Sequence, residues 1–199
     1  MTRQGRGVVL LAGSPPQARA WVRGGVVPCH VVAHRAWTIV VPSAGRTAAR
    51  PPYDDPARIL SSRYVGSRLA PALGFFTEDS TAWVTARGPG RSRTRWALRD
   101  PDHVVMGGAG LPPLAPEHLH RVLGHAAGAG SRPVPLRALR EVWGRTDLPH
   151  LDWLLELLAV LGLPGGRLLE GGDPEPGPAI GPNPRAVAAF ETTVKDEHQ

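Results

Sequence analysis

The sequence predicts an α+β fold: a ferredoxin-like β-α-β-β-α-β unit extended by meander strands and followed by a small helical unit. Three observations lead there. Short runs rich in β-branched residues alternate with capped helical segments in the first half. From residue 113 the apolar spacing turns helical. Gly and Pro, 24 and 22 residues, sit in clusters that separate these segments.

The first strand is expected from Gly7 to Ala12. Ser14 is a good N-cap and Pro15 a good first helical residue, so a helix should run through Val22 and stop at Gly24-Gly25. Two strands follow, about 27–33 and 36–41, closed by Pro42. Asp55-Pro56 opens a second helix, with Ile59, Leu60, Tyr64, Leu69 and Leu73 at roughly helical spacing until Pro71 ends or kinks it. Strands are then expected from Phe75, over 81–86, over 93–99 and over 103–106, joined by turns at Glu78-Asp79-Ser80, Gly88-Pro89-Gly90 and Asp100-Pro101-Asp102.

Helices are expected over 116–127, 135–144 and 148–161. The last, capped by Asp147, is apolar around much of its circumference and should sit at the centre of the helical cluster, with Leu155 on its main stripe and Trp153 off it. The division expected is 1–112 for the α+β unit, 113–170 for the helical unit, 171–184 for a Pro/Gly-rich linker and 185–199 for a short amphipathic tail helix.

Composition bounds the function. Hydrophobic residues make up 42% of the 199 residues, enough for a real core. The formal charge is +6, but Lys195 is the only lysine, so arginine carries the excess, as GC-rich codon usage would produce. The single Cys29 rules out an intrachain disulfide and suits a reducing, cytoplasmic setting. Val8 to Ala12 is too short an apolar run for a signal peptide, and no run is long enough for a membrane span.

Motif chemistry is sparse. Cys29, His30 and His34 fail as a zinc set: on a strand the two histidines lie about 13 Å apart and the thiol points to the other face. His118, His120 and His125 lack the i, i+4 spacing that helical metal sites use. Ser14, Ser43, Ser61, Ser62 and Cys29 offer nucleophiles without a recognisable motif, and Asp54-Asp55 and Glu78-Asp79 read as cap and turn residues. Gly13-Ser14-Pro15 lies before a helix, but its prolines lack the amides an anion would need. No metal, cofactor or catalytic residue is therefore expected.

Two surfaces remain. Arg87, Arg91, Arg93, Arg95 and Arg99 form an arginine-rich stripe that suits phosphate contacts, or else a solvated sheet face. Val187, Phe190 and Val194 line one side of the tail helix and suit docking on a protein partner or on the chain itself. The helices 135–144 and 148–161 resemble a helix-turn-helix in spacing, with Arg167 to Gly172 as a wing, but the second carries Asp152 and Glu156 and no arginine or lysine. The function expected is a non-enzymatic binding or regulatory protein working through protein contacts, with nucleic-acid association through the arginines as the alternative. Untagged protein should carry well under one equivalent of zinc by metal analysis; a full equivalent lost on Cys29→Ala or His30→Ala would refute the spacing argument.

Overall fold

The computed structural model describes residues 5–100, 104–106, 110–126, 134–173 and 178–197. The fold is α+β. Its strands are β1 (Arg6–Leu11), β2 (Cys29–His34), β3 (Trp37–Pro42), β4 (Ala72–Glu78), β5 (Thr81–Arg87), β6 (Arg95–Arg99) and β7 (Val104–Met106). They form one antiparallel sheet in the order β2-β3-β1-β4-β5-β6-β7. The α+β class and the strands beyond β4 are as expected, and the sheet of all seven strands is not a simple ferredoxin arrangement. Tight reversals at Arg35 and Asp79, both at positive φ, allow β2–β3 and β4–β5 to pair directly.

Helices cover both faces. On one side lie α1 (Pro15–Arg23) and α2 (Pro56–Ser62), whose Ala18, Val22, Ala57 and Leu60 pack with Val9, Leu11, Val40 and Phe76. On the other lie α3 (Pro116–Ala126), α4 (Leu136–Trp143), α5 (His150–Val160) and the short α6 (Gly166–Leu169). Their Leu119, Leu139, Trp153, Leu154 and Leu157 pack with Val8, Leu10, Phe75 and Val84. The strand alternation explains the split, because successive side chains point to opposite faces. Val8 and Leu10 go one way, Val9 and Leu11 the other, and all are buried.

Gly7 and Gly74 are required here by close approach. A Cβ on Gly7 would lie 2.1 Å from the Phe76 ring, and one on Gly74 would lie 2.4 Å from it. Phe76 thus lies over bare backbone on β1 and β4 and stacks on Trp83, with ring centroids 5.6 Å apart.

Several elements differ from the sequence expectation. α2 ends at Ser62, and Leu69 lies in the following loop while Leu73 belongs to β4, which opens at Ala72 and not at Phe75. The spacing of those leucines was coincidental, and Pro71 excludes a continuous helix. Asp55 does cap α2, accepting from the Arg58 amide at 2.8 Å. The cap of α5 is Pro149, because Asp147 is held in a two-point ion pair with Arg145. Where a wing was considered, residues 166–169 form α6. In the stretch read as linker, residues 174–177 lie outside the described residues, while Ile180 makes a two-way backbone bridge with Cys29 at 3.1 and 2.8 Å. Asn183 then caps α7 (Pro184–Glu197), its Oδ1 accepting from the Arg185 amide at 2.9 Å.

The order of importance within α5 is also reversed. Trp153 is 0% exposed, while Leu155 is only half-buried. The Trp153 indole donates to the Val142 carbonyl at 3.1 Å and meets Trp143 edge-on at 5.8 Å. Trp153→Ala should therefore cost about 3–5 kcal/mol. Leu155→Ala should cost about 1 kcal/mol. Chemical denaturation of the two variants checks the order, and a larger loss in Leu155→Ala would contradict this packing.

Candidate functional site

An open cleft of about 790 Å³ lies at the end of the sheet where β1 and β2 begin and β3 and β4 finish. Arg6, Gly7, His30, Val41, Ser43 and Thr77 form its floor on the strand side. Pro149, His150 and Leu151 from the start of α5, with Leu168 and Gly171 to Asp173 around the end of α6, form the opposite wall. Asp79, in the β4–β5 turn, and Ala44, in the loop after β3, stand at its rim and are exposed.

The register explains the gathering. One row across the sheet runs Arg6, Thr77, Ala82, Arg99, from β1 through β4 and β5 to β6. Ala82 belongs to the core under α3–α6, so the row lies on the helix-covered face. Arg6 and Thr77 open into the cleft, and Arg6 is braced by donating to the Glu170 carbonyl at 2.8 Å. Arg99 is the buried end of the row. Its Nη2 donates to the Leu148 carbonyl at 2.8 Å, and its guanidinium lies over Trp153, 5.1 Å from the ring centroid. Its Nε and Nη1 have no partner among the described residues. Burial draws its pKa below the ordinary value, with Asp147 acting weakly in the other direction.

His150 links the two ends. It lines the cleft, its Nδ1 is buried without a partner among the described residues, and burial followed by the Arg99 charge lowers its pKa. His118 on α3 is also held low, by burial and then by Arg95 and Arg121.

The arginine stripe is dispersed. Arg87 is buried on the α1/α2 face, where it reaches the Tyr64 hydroxyl at 3.3 Å and lies over that ring at 4.6 Å. Arg95 and Arg99 take the opposite face, Arg95 donating to the Pro113 carbonyl at 3.0 Å. Arg91 and Arg93 stand exposed in the loop between β5 and β6. No single surface gathers the five. Val187 and Phe190 pack on the α1/α2-side core, Phe190 edge-on to Tyr53 at 5.5 Å, and Val194 lines a small apolar hollow of about 250 Å³ beside residues 49–53.

The other candidates are structural in their contacts. Cys29 is buried, its pKa pushed up to about 12 by desolvation, so it is a thiol near neutral pH. His120 and His125 engage the carbonyls of Val134 and Arg121 at 3.0 and 2.7 Å. Ser61 and Ser62 donate to carbonyls one turn earlier in α2, and Gln17 accepts from the Ser14 amide at 2.9 Å. No group of three or more His, Cys, Asp or Glu among the described residues is placed to share a metal ion. No helix among them is long and apolar enough to cross a membrane.

The cleft had no sequence signal, because its residues come from separated segments spread from Gly5 to Asp173; the glycines and prolines at strand ends were the nearest hint. No family model, curated protein or solved structure compared with the chain matches it.

The lowered histidine pKa values have a definite sign. A histidine that binds its proton less well in the folded state than in the unfolded state favours unfolding once the unfolded group protonates. Stability contributed by keeping His118 and His150 neutral is present above their unfolded pKa, about 6.5, and is lost as pH falls below it. The denaturation midpoint should drop between pH 7.5 and 5.5, and the double variant His118→Gln/His150→Gln should show a flatter pH dependence; an equally steep profile would contradict the assignment.

Proposed function

We propose that this chain is a non-enzymatic binding protein that works through contacts with a protein partner, and that the cleft at the sheet end holds an extended segment of that partner. The observation that carries the reading is the cleft's make-up. Val41, Pro149, Leu151 and Leu168 offer apolar contact beside hydrogen-bonding groups of Arg6, His30, Ser43, Thr77 and His150. Concave surfaces with this mixture suit ligands that bury side chains while satisfying a polar backbone. The fold supports such a role by fixing the floor on four paired strands and the wall on α5.

The antiparallel order β2-β3-β1-β4, with α1 and α2 on one face, supports a ferredoxin-like reading of the first four strands, to which β5–β7 are an extension. The nucleic-acid alternative loses support from the positions of Arg87 and Arg99, both buried on opposite faces of the sheet.

Peptide-display selection against the full chain should return a convergent motif. Ala44→Trp fills the cleft from an exposed loop position, so it should weaken the selected peptides at least about tenfold, or 1.4 kcal/mol, without moving the thermal midpoint. Binders indifferent to Ala44→Trp would place the partner surface elsewhere, and repeated selections without convergence would overturn the reading.

A further inference from the structure

We propose that the outer edge of β2 takes an acidic, extended segment of a protein partner as an eighth strand of the sheet, hydrogen-bonded to the backbone of Val31 and Ala33. The inference goes beyond the cleft reading, because these backbone groups do not line the cleft.

The edge is defined by a contact that the chain makes with itself. β2 ends the sheet and is paired along its length with β3 alone. On its outer side Cys29 donates to the Ile180 carbonyl at 3.1 Å and accepts from the Ile180 amide at 2.8 Å, an antiparallel bridge. The N–H and C=O of Cys29 therefore face away from β3. In an antiparallel ladder every second residue turns its backbone groups the same way, so those of Val31 and Ala33 also face outward. Neither has an outer hydrogen-bond partner among the described residues.

The chain cannot complete this row itself. If the register of the Ile180 bridge continued, Pro178 would stand opposite Val31 and Pro176 opposite Ala33. Proline has no N–H, so neither could form the two-bond pair that Ile180 forms. Pro178 makes no hydrogen bond to Val31, and Pro176 lies outside the described residues. β2 also lacks the usual edge protection, since Cys29–His34 holds no proline and no Lys, Arg, Asp or Glu. An added strand gains backbone bonds at two residues and apolar contact with half-buried Val31 and Val32, whose side chains take opposite faces.

Charge selects the occupant. Residues 1–53 hold no Asp or Glu. β3, α1 and the segment 178–183, which pack on β2, are all free of acids. Arg35 stands at the tip of the β2–β3 turn, and Arg19 and Arg23 lie on α1; all three are exposed and without an ion pair among the described residues. Asp79 and Asp173 belong to the cleft, at the end where β2 begins. An acidic strand on Val31 and Ala33 passes beside Arg35 and meets no opposing carboxylate from β3 or α1. A second copy fits less well. Two β2 edges paired about Val32 would set Arg35 of each against Cys29 of the other, where Ile180 already sits.

The test is an amide ¹H–¹⁵N titration of the full chain, with hydrogen exchange, using a capped peptide of alternating Glu and Val. Saturable shifts centred on β2 and slowed exchange at Val31 and Ala33 are expected. The same peptide with Lys for Glu should bind at least about tenfold more weakly. Ala33→Pro removes an outward N–H and leaves the ladder to β3 intact, so it should weaken binding at least about tenfold. Arg35→Glu should weaken it severalfold without moving the thermal midpoint. Should Ala33→Pro fail to fold, the wild-type exchange pattern and Arg35→Glu decide. Absence of saturable shifts, unslowed exchange at Val31 and Ala33, equal binding of the Lys peptide, or unchanged affinity in the variants would overturn the proposal. A wild-type dimer by light scattering that Ala33→Pro renders monomeric would assign the edge to a second copy and overturn the acidic partner. Ala44→Trp, which fills the cleft, should leave this peptide's affinity unchanged. Its loss would place the peptide in the cleft and overturn the edge reading; edge binding without convergent display peptides would remove the cleft reading alone.

Discussion

Trp153 is the contact on which the helical layer depends. It sits on the first full turn of α5, donates its indole N–H to α4 at the Val142 carbonyl, and meets the Trp143 ring edge-on. Arg99 from β6 lies over its face and ties back to the Leu148 carbonyl at the entrance of α5. One side chain thus joins two helices and the sheet. α4 and α5 are short, eight and eleven residues, and helices of that length owe their stability to packing more than to propensity. Without Trp153 the docking of α5 loses both its apolar anchor and its buried polar partner, and the cleft wall built on α5 loses its support.

A second constraint acts on the sheet. Covering both faces requires β1, β4 and β5 to be apolar on both sides, and they are: Val8 to Leu11, Leu73, Phe75, Phe76 and Ala82 to Val84 are buried throughout. Charged groups are then forced to strand ends, where Arg6 and Asp79 are found, or are buried with aromatic partners, as with Arg87 on Tyr64 and Arg99 on Trp153. Arginine suits the second solution better than lysine, since its flat guanidinium stacks on a ring and is less strongly hydrated. The arginine content of this chain, which looks like a surface property in the sequence, is in part a core property.

That distinction marks what the sequence could convey. The cap of α2 was readable, because Asp55-Pro56 acts through local chemistry that survives in any context. The alternation in β6 was readable too: Arg95 and Arg99 do share a face, with Trp96 and Leu98 on the other. Which faces are buried was not, because alternation reports two sides without saying what lies against either. Arg99 was therefore expected on a solvated or phosphate-contacting face, and it lies under α5. The second helix erred for a related reason. Leu69 and Leu73 fit a helical period by number, but the first belongs to a loop that accepts from Ala12, at 3.1 Å, and the second to β4.

The place of the cleft follows from how the helical layer is distributed. α5 crosses β4 and β5, and α6 touches β1, so the layer is thick over the sheet centre and thins toward β2 and β3. β2 shows the result: its burial fades from Cys29, through half-buried His30, Val31 and Val32, to exposed Ala33 and His34. The loop 43–45 and the segment 171–173 line the cleft at the other end of the strands, where β2 begins. A gap bounded by strand ends, a helix start and two loops is where backbone groups remain unpaired by regular structure. Such a gap concentrates hydrogen-bonding capacity without needing a conspicuous motif. Arg6 and His150, over 140 residues apart in sequence, line one cleft only because β1 and α5 are brought to the same corner.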